Sequence, residues 1–263
     1  MTDHLQQNTT EQNTVEISLY DLLDQLGDVE GVATKYLEFA ERGNVVGVRV
    51  IHTLALEAKK SGLAIDLNAL SENEYTPLHR AAANGYTDVV RAMIAAKKDG
   101  LDIDLHAKDV TGNTPLHFAA KNGHTDVAKA MIAANNDGFL VDLNAKNEFG
   151  NTPLHAAVST GCVGVVEAMI AAKKDGFDID LFLRNNLGLT PYDLANENGN
   201  SAVCRLYKLY ERSLNDRAVK VNPDDLRQLF GERADALLKT KLPEPCEPVG
   251  KDAVVKEASR LKT

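Results

Sequence analysis

The chain has 263 residues, 25% of them charged and 44% hydrophobic, and a formal net charge of −9. That balance, with no basic block, argues against nucleic-acid binding through charge. No stretch is apolar for long enough to cross a bilayer, and three cysteines make no disulfide framework.

In chain order, residues 1–14 are polar, rich in Asn, Gln and Thr, and without apolar period, so they are expected to be disordered. Residues 15–70 are predicted to form a helical N-terminal cap that includes a degenerate first repeat. Within it, Ser18 caps a short helix carrying Leu19, Leu22, Leu23 and Leu26. A second helix runs through Val32, Tyr36, Leu37 and Phe39 to Gly43, and a third from Val45 to Lys60. Residues 71–215 carry the repeats. The string Thr-Pro-Leu-His starts at Thr76, Thr114 and Thr152, and a decayed copy, Thr190-Pro191-Tyr192-Asp193, follows at the same 38-residue step. A fixed period of this size means stacked supersecondary units rather than one closed core.

Each unit has the same local logic. Thr is a good N-cap, and Pro at the first helical position gives up no needed N–H. A short helix therefore starts at Thr76-Pro77 and ends near Gly85. A second starts at Thr87, with Val89, Val90, Met93 and Ile94 on one buried stripe. Asp99-Gly100 stops it. Ile103 and Leu105 then alternate with Asp102 and Asp104 at period two, leading into the turn signal Asp109-Val110-Thr111-Gly112. The unit reads as helix, turn, helix and hairpin-like finger.

Gly112-Asn113-Thr114-Pro115-Leu116-His117-Phe118-Ala119-Ala120, Gly123-His124 and Asp142-Leu143-Asn144-Ala145 carry a resemblance to the ankyrin-repeat family. It is strong over residues 71–215 and weak over residues 30–70. The resemblance implies an all-α solenoid. The family period is about 33 residues, so each unit here holds additional residues around Lys97 to Asp102, predicted to lengthen the second helix and the outer loop.

Residues 216–263 are predicted to hold a C-terminal helix starting at Asn222-Pro223, a Pro-rich spacer (Lys241 to Pro248) and a tail. Cys162, Cys204 and Cys246 are expected to be free thiols, the first two buried. His79, His117 and His155 sit on successive units about 10 Å apart, too far to share a metal ion. The resemblance gives them a structural role in holding neighbouring turns. No nucleophile elbow, phosphate loop or metal-binding signature occurs, so no catalytic residue, cofactor or metal is expected.

The resemblance implies a non-catalytic protein-interaction scaffold, a monomer binding one protein on the concave wall formed by fingers and first helices. Columns that vary between copies are the ones stacking does not need. They are Glu72, Val110, Glu148 and Asn186; Asn73, Thr111, Phe149 and Leu187; Tyr75, Asn113, Asn151 and Leu189; and Ala83, Lys121, Ser159 and Glu197 on the first helices, with Asn122 beside Lys121 added to the expected contact set. Exposed aromatic and apolar tips among them are candidate anchors. Phe149 is the strongest, because it sits mid-stack where no terminal cap reaches. An acidic concave face is expected from the net charge.

A location in the cytoplasm, without membrane or nucleic-acid partners, follows from the lack of a signal-peptide-like or spanning segment. A more specific resemblance, to ankyrin-bearing type IV secretion effectors of intracellular bacteria, would add translocation into a host cytosol and a host protein as partner. It rests on the near-identical tandem repeats and the polar stretch from Glu244 to Thr263. The alternative class is an enzyme whose catalytic unit lies in the terminal helical segments.

Overall fold

The computed structural model describes residues 28–71, 73–139 and 141–217. Ten α-helices and one 3-10 turn lie in this span, and no strand occurs among the described residues. The helices come in pairs. These are α1 (Asp28–Glu41) with α2 (Val45–Lys60), α3 (Pro77–Ala83) with α4 (Thr87–Lys98), and α5 (Pro115–Lys121) with α6 (Thr125–Ala134). They are followed by α7 (Pro153–Ser159) with α8 (Val163–Lys174), and α9 (Pro191–Glu197) with α10 (Ser201–Arg217). First helices pack on first helices and second on second, so five pairs stack as two layers. Residues 28–70 thus form a full first unit. The segment before Asp28 and the predicted helix from Asn222 lie outside the described residues.

The caps follow the sequence logic. Thr76, Thr114, Thr152 and Thr190 are extended and each forms a capping box with the residue three further on, with Pro at the start of the helix. Behind these caps the core runs unbroken through the stack. Leu78, Leu116 and Leu154 fill it from the first helices, and Met93, Met131 and Met169 from the second. At the far end Tyr207 and Tyr210 are buried in place of smaller residues.

The histidine of each Thr-Pro-Leu-His string is the joint between units. His117 Nδ1 accepts from the Thr114 N–H at 3.1 Å, and its Nε2 meets the Asn151 carbonyl, in the next finger, at 2.9 Å. His79 and His155 repeat the arrangement with Asn113 and Leu189. The backbone N–H at Nδ1 fixes the neutral tautomer with its proton on Nε2, and both ring nitrogens are used. In the last unit Asp193 stands in this column. Its Oδ2 accepts from the Thr190 N–H and hydroxyl, which keeps the cap, while Oδ1 is buried without a partner.

Two expectations about the units need adjustment. Helix α6 stops at Ala134, where Asn135-Asn136 replaces the Lys-Lys pair of the other units, and a 3-10 turn (Asn135–Asp137) closes on left-handed Gly138. Asn135 takes over the task of Lys97. Lys97 donates to the Ile103 carbonyl, whereas Asn135 bonds both the N–H and the carbonyl of Val141. Cys162 and Cys204 are free but half-buried rather than buried, and Cys246 lies outside the described residues.

Candidate functional site

The finger tips are built by one side chain each. Asp109 Oδ1 accepts from the N–H groups of Thr111 and Asn113 and from the Thr111 hydroxyl. Asn147 accepts from the N–H groups of Phe149 and Asn151, and Asn185 from those of Leu187 and Leu189. This is the Asp/Asn turn mechanism. Burial pushes the Asp109 carboxyl upward, but its hydrogen bonds to Asn113 and Thr111 more than offset this and hold it below the usual carboxylate range. Each tip then closes through a left-handed glycine, as at Gly150, whose N–H bonds the Asn147 carbonyl.

Neighbouring fingers are tied at fixed register. The Glu148 N–H donates to the Thr111 carbonyl, and the Asn186 N–H to the Phe149 carbonyl. Asn147 Nδ2 donates to Asn113 Oδ1 at 2.8 Å, and Asn185 Nδ2 to Asn151 Oδ1 at 2.9 Å. The result is a continuous edge in which three apolar side chains face solvent: Val110 is 51% exposed, Phe149 61% and Leu187 67%.

The residues predicted to bind fall into two sets. Val110, Phe149, Leu187, Asn73, Glu148, Asn186, Lys121, Asn122 and Ser159 are exposed. Asn186 and Asn122 also bond neighbouring carbonyls, those of Glu148 and Ala83. Thr111, Asn113 and Asn151 are half-buried and occupied by the tip and inter-finger bonds above. Tyr75 is half-buried too. Its ring meets Phe118 edge-on at 5.3 Å, with the Arg80 guanidinium 4.8 Å from its centroid. Glu72 lies outside the described residues. Leu189, next to the exposed Leu187, is buried.

The charge on this edge differs from the expectation. Lys108, Lys146 and Arg184 occupy one repeat column and all are exposed. Lys108 Nζ donates to the Lys146 carbonyl, Lys146 Nζ to the Arg184 carbonyl, and Arg184 Nη1 to the Gly188 carbonyl. The acidity lies instead on the segments joining each second helix to its finger, where Asp66, Asp104, Asp142 and Asp180 are exposed. Their carboxylates cap the N–H two residues on, in Asn68, His106, Asn144 and Phe182. The finger edge therefore carries Lys108 and Lys146 beside its apolar tips, with Arg184 paired to Asp193 at 3.6 Å and Glu148 as an exposed acid among them, and it is bordered by an acidic column. In the basic column the first unit has Leu70 and the next three units keep a like charge, so variation between copies does not single it out.

Residues 47–139 match the family model described as ankyrin repeats (3 copies), and residues 136–195 match the one described as ankyrin repeats (many copies). No curated protein matches the chain.

Proposed function

The chain belongs to the ankyrin-repeat family, and we propose that it is a non-catalytic scaffold that recognises one protein partner along the edge of its fingers and the adjoining first helices. Ankyrin repeats are in general protein-interaction modules. The observation that carries the reading for this chain is the row of Val110, Phe149 and Leu187, held at solvent by backbone bonds from one finger to the next. Apolar side chains on a rigid edge contribute buried area at small cost in ordering, which is how binding anchors work. Lys121, Asn122 and Ser159 on the first helices extend the same surface, with Asn73, Glu148 and Asn186 beside the tips.

The buried histidines offer no competing chemistry, since both ring nitrogens of His79, His117 and His155 are engaged. The double variant Val110→Glu/Phe149→Ala tests the reading. A partner captured by the wild-type chain from lysate is lost by the double variant, whose circular dichroism is unchanged. Equal capture by both chains places recognition elsewhere.

A finer reading makes the partner a host protein and the chain a type IV secretion effector. Its support is in the sequence alone: near-identical tandem repeats and a polar C-terminal stretch from Glu244, which lies outside the described residues. A reporter fused to residues 244–263 that fails to enter host cells from a type IV-competent bacterium removes it.

A further inference from the structure

We infer that the segment recognised on the finger edge is an acidic amphipathic helix, with carboxylates and apolar residues each recurring every seven positions. The inference rests on the finger-edge binding reading above and adds the chemistry and geometry of the partner.

The charge argument comes first. Lys108 and Lys146, on successive fingers, form a cationic pair next to the apolar tips Val110, Phe149 and Leu187. Arg184 continues the column but pairs with the buried Asp193 carboxylate at 3.6 Å, and Glu148 is an exposed acid among these tips. Each lysine gives one hydrogen bond to the backbone of the following finger. An ammonium has three donors, so two remain for a ligand while the tether fixes where the charge sits. A cation already held in place loses less freedom on binding than a free lysine does. A carboxylate is the matching group. The acidic column of Asp66, Asp104, Asp142 and Asp180, on the adjoining segments, repels a partner that slips off the fingers.

The pitch argument comes second. Stacked helices repeat at about 8–10 Å, so the basic column recurs at that spacing along the edge, as do Phe149 and Leu187, with Val110 one position earlier in its own finger. An α-helix rises 1.5 Å per residue, which returns the same face after seven residues at about 10.5 Å. A helix laid along the row thus meets one finger per heptad. A β-strand covers the same distance in about three residues, which turns successive contacts to opposite faces. The helix is the occupant whose period fits.

The test uses the full-length chain and two labelled peptides of about three heptads. One carries Leu and Glu at adjacent positions of every heptad, and the other carries Leu and Lys. Fluorescence anisotropy is read at low and moderate salt. The Glu peptide binds about tenfold more tightly than the Lys peptide, and the gap narrows as salt rises. In Lys108→Gln/Lys146→Gln, which removes both ammonium groups and leaves the Arg184–Asp193 ion pair in place, the preference disappears. In Lys108→Glu/Lys146→Glu it reverses.

Equal or tighter binding of the Lys peptide by the wild-type chain overturns the inference, as does a preference that survives the Gln variant. Absence of binding by either peptide overturns it as well. Phe149→Ala separates the two levels. If it abolishes binding of both peptides while no charge preference is seen, the finger edge stands and the acidic partner falls. If it changes nothing, the finger-edge reading itself falls.

Discussion

Replacing His117 by glutamine examines the joint between units. Burial is the largest influence on this imidazole and pushes its pKa down, against the pull of the Asn151 carbonyl and Asp109, to about 4. In the unfolded chain a histidine titrates near 6.5. The folded value is the depressed one, so the unfolded state takes up the proton first. The stabilising contribution is complete above about pH 6.5 and declines as the pH falls, until it is gone near pH 4. The slope in that window is about 1.4 kcal/mol per pH unit for one histidine, and the whole span is worth about 3 kcal/mol. Physically, the added proton sits on Nδ1, where the Thr114 N–H already points.

Glutamine does not titrate and cannot hold both the Thr114 N–H and the Asn151 carbonyl. His117→Gln is therefore expected to cost about 2–3 kcal/mol at neutral pH and to flatten the stability–pH curve by about one proton between pH 6.5 and 5. The assay is urea unfolding followed by circular dichroism at several pH values, wild type against variant. Identical slopes for the two chains refute the reasoning, and so does a wild-type stability that rises on acidification.

His52 is buried against the Tyr36 hydroxyl at 2.7 Å, and burial likewise lowers its pKa to about 4. Tyr36→Phe leaves that ring nitrogen without its partner and is expected to cost about 1–3 kcal/mol in the same unfolding assay. Gly150 and Gly188 both have positive φ, but a Cβ at Gly150 would lie 2.7 Å from the Asn186 backbone nitrogen, whereas one at Gly188 meets nothing. Gly188→Ala should cost about 1–2 kcal/mol from backbone strain alone, and Gly150→Ala clearly more by thermal melting; equal losses contradict the contact. Phe149→Ala is expected to shift stability by less than about 0.5 kcal/mol, since the ring is largely in solvent, and to act only on binding by the pull-down. Lys98, at the end of α4, and Asp137, in the 3-10 turn of the next unit, form an exposed ion pair. Lys98→Ala is expected to change stability by at most about 1 kcal/mol, measured in urea at low and high salt.

The helix pairs were legible in the sequence because each boundary carries its own chemistry. Thr76, Thr114, Thr152 and Thr190 announce a start, and the Val, Met and Ile stripe announces the buried face. The period-two alternation of Ile103 and Leu105 with aspartates also survives as alternating burial, although no strand forms. The binding surface was only half legible. Variation between copies picks out Val110, Phe149 and Leu187, but it equally picks out Thr111 and Asn113. There the tips solve one hydrogen-bonding problem in different ways, Asp109 in one finger and Asn147 or Asn185 in the next. Constancy misled in the other direction. Lys108, Lys146 and Arg184 are alike in three successive units without being buried, although the first unit has Leu70 there, because a periodic sequence repeats its solvated charges as faithfully as its core. Their meaning depends on the carbonyl of the following finger, which no single unit contains.

The ladder from each histidine to the next finger makes the protein modular in a heritable sense. A duplicated 38-residue block inserted in frame among the internal units brings both the imidazole that reaches forward and the carbonyl that receives it, so every bond at the new junction is remade. Fingers can be gained or lost in single steps, lengthening or shortening the recognition edge without redesign of the interior. The unit bearing Asp193 is different. Copied into the middle of the array, its carboxylate would face the carbonyl of the following finger with no proton to offer. The last unit is thereby confined to the end of the array, and growth of the edge to the units before it.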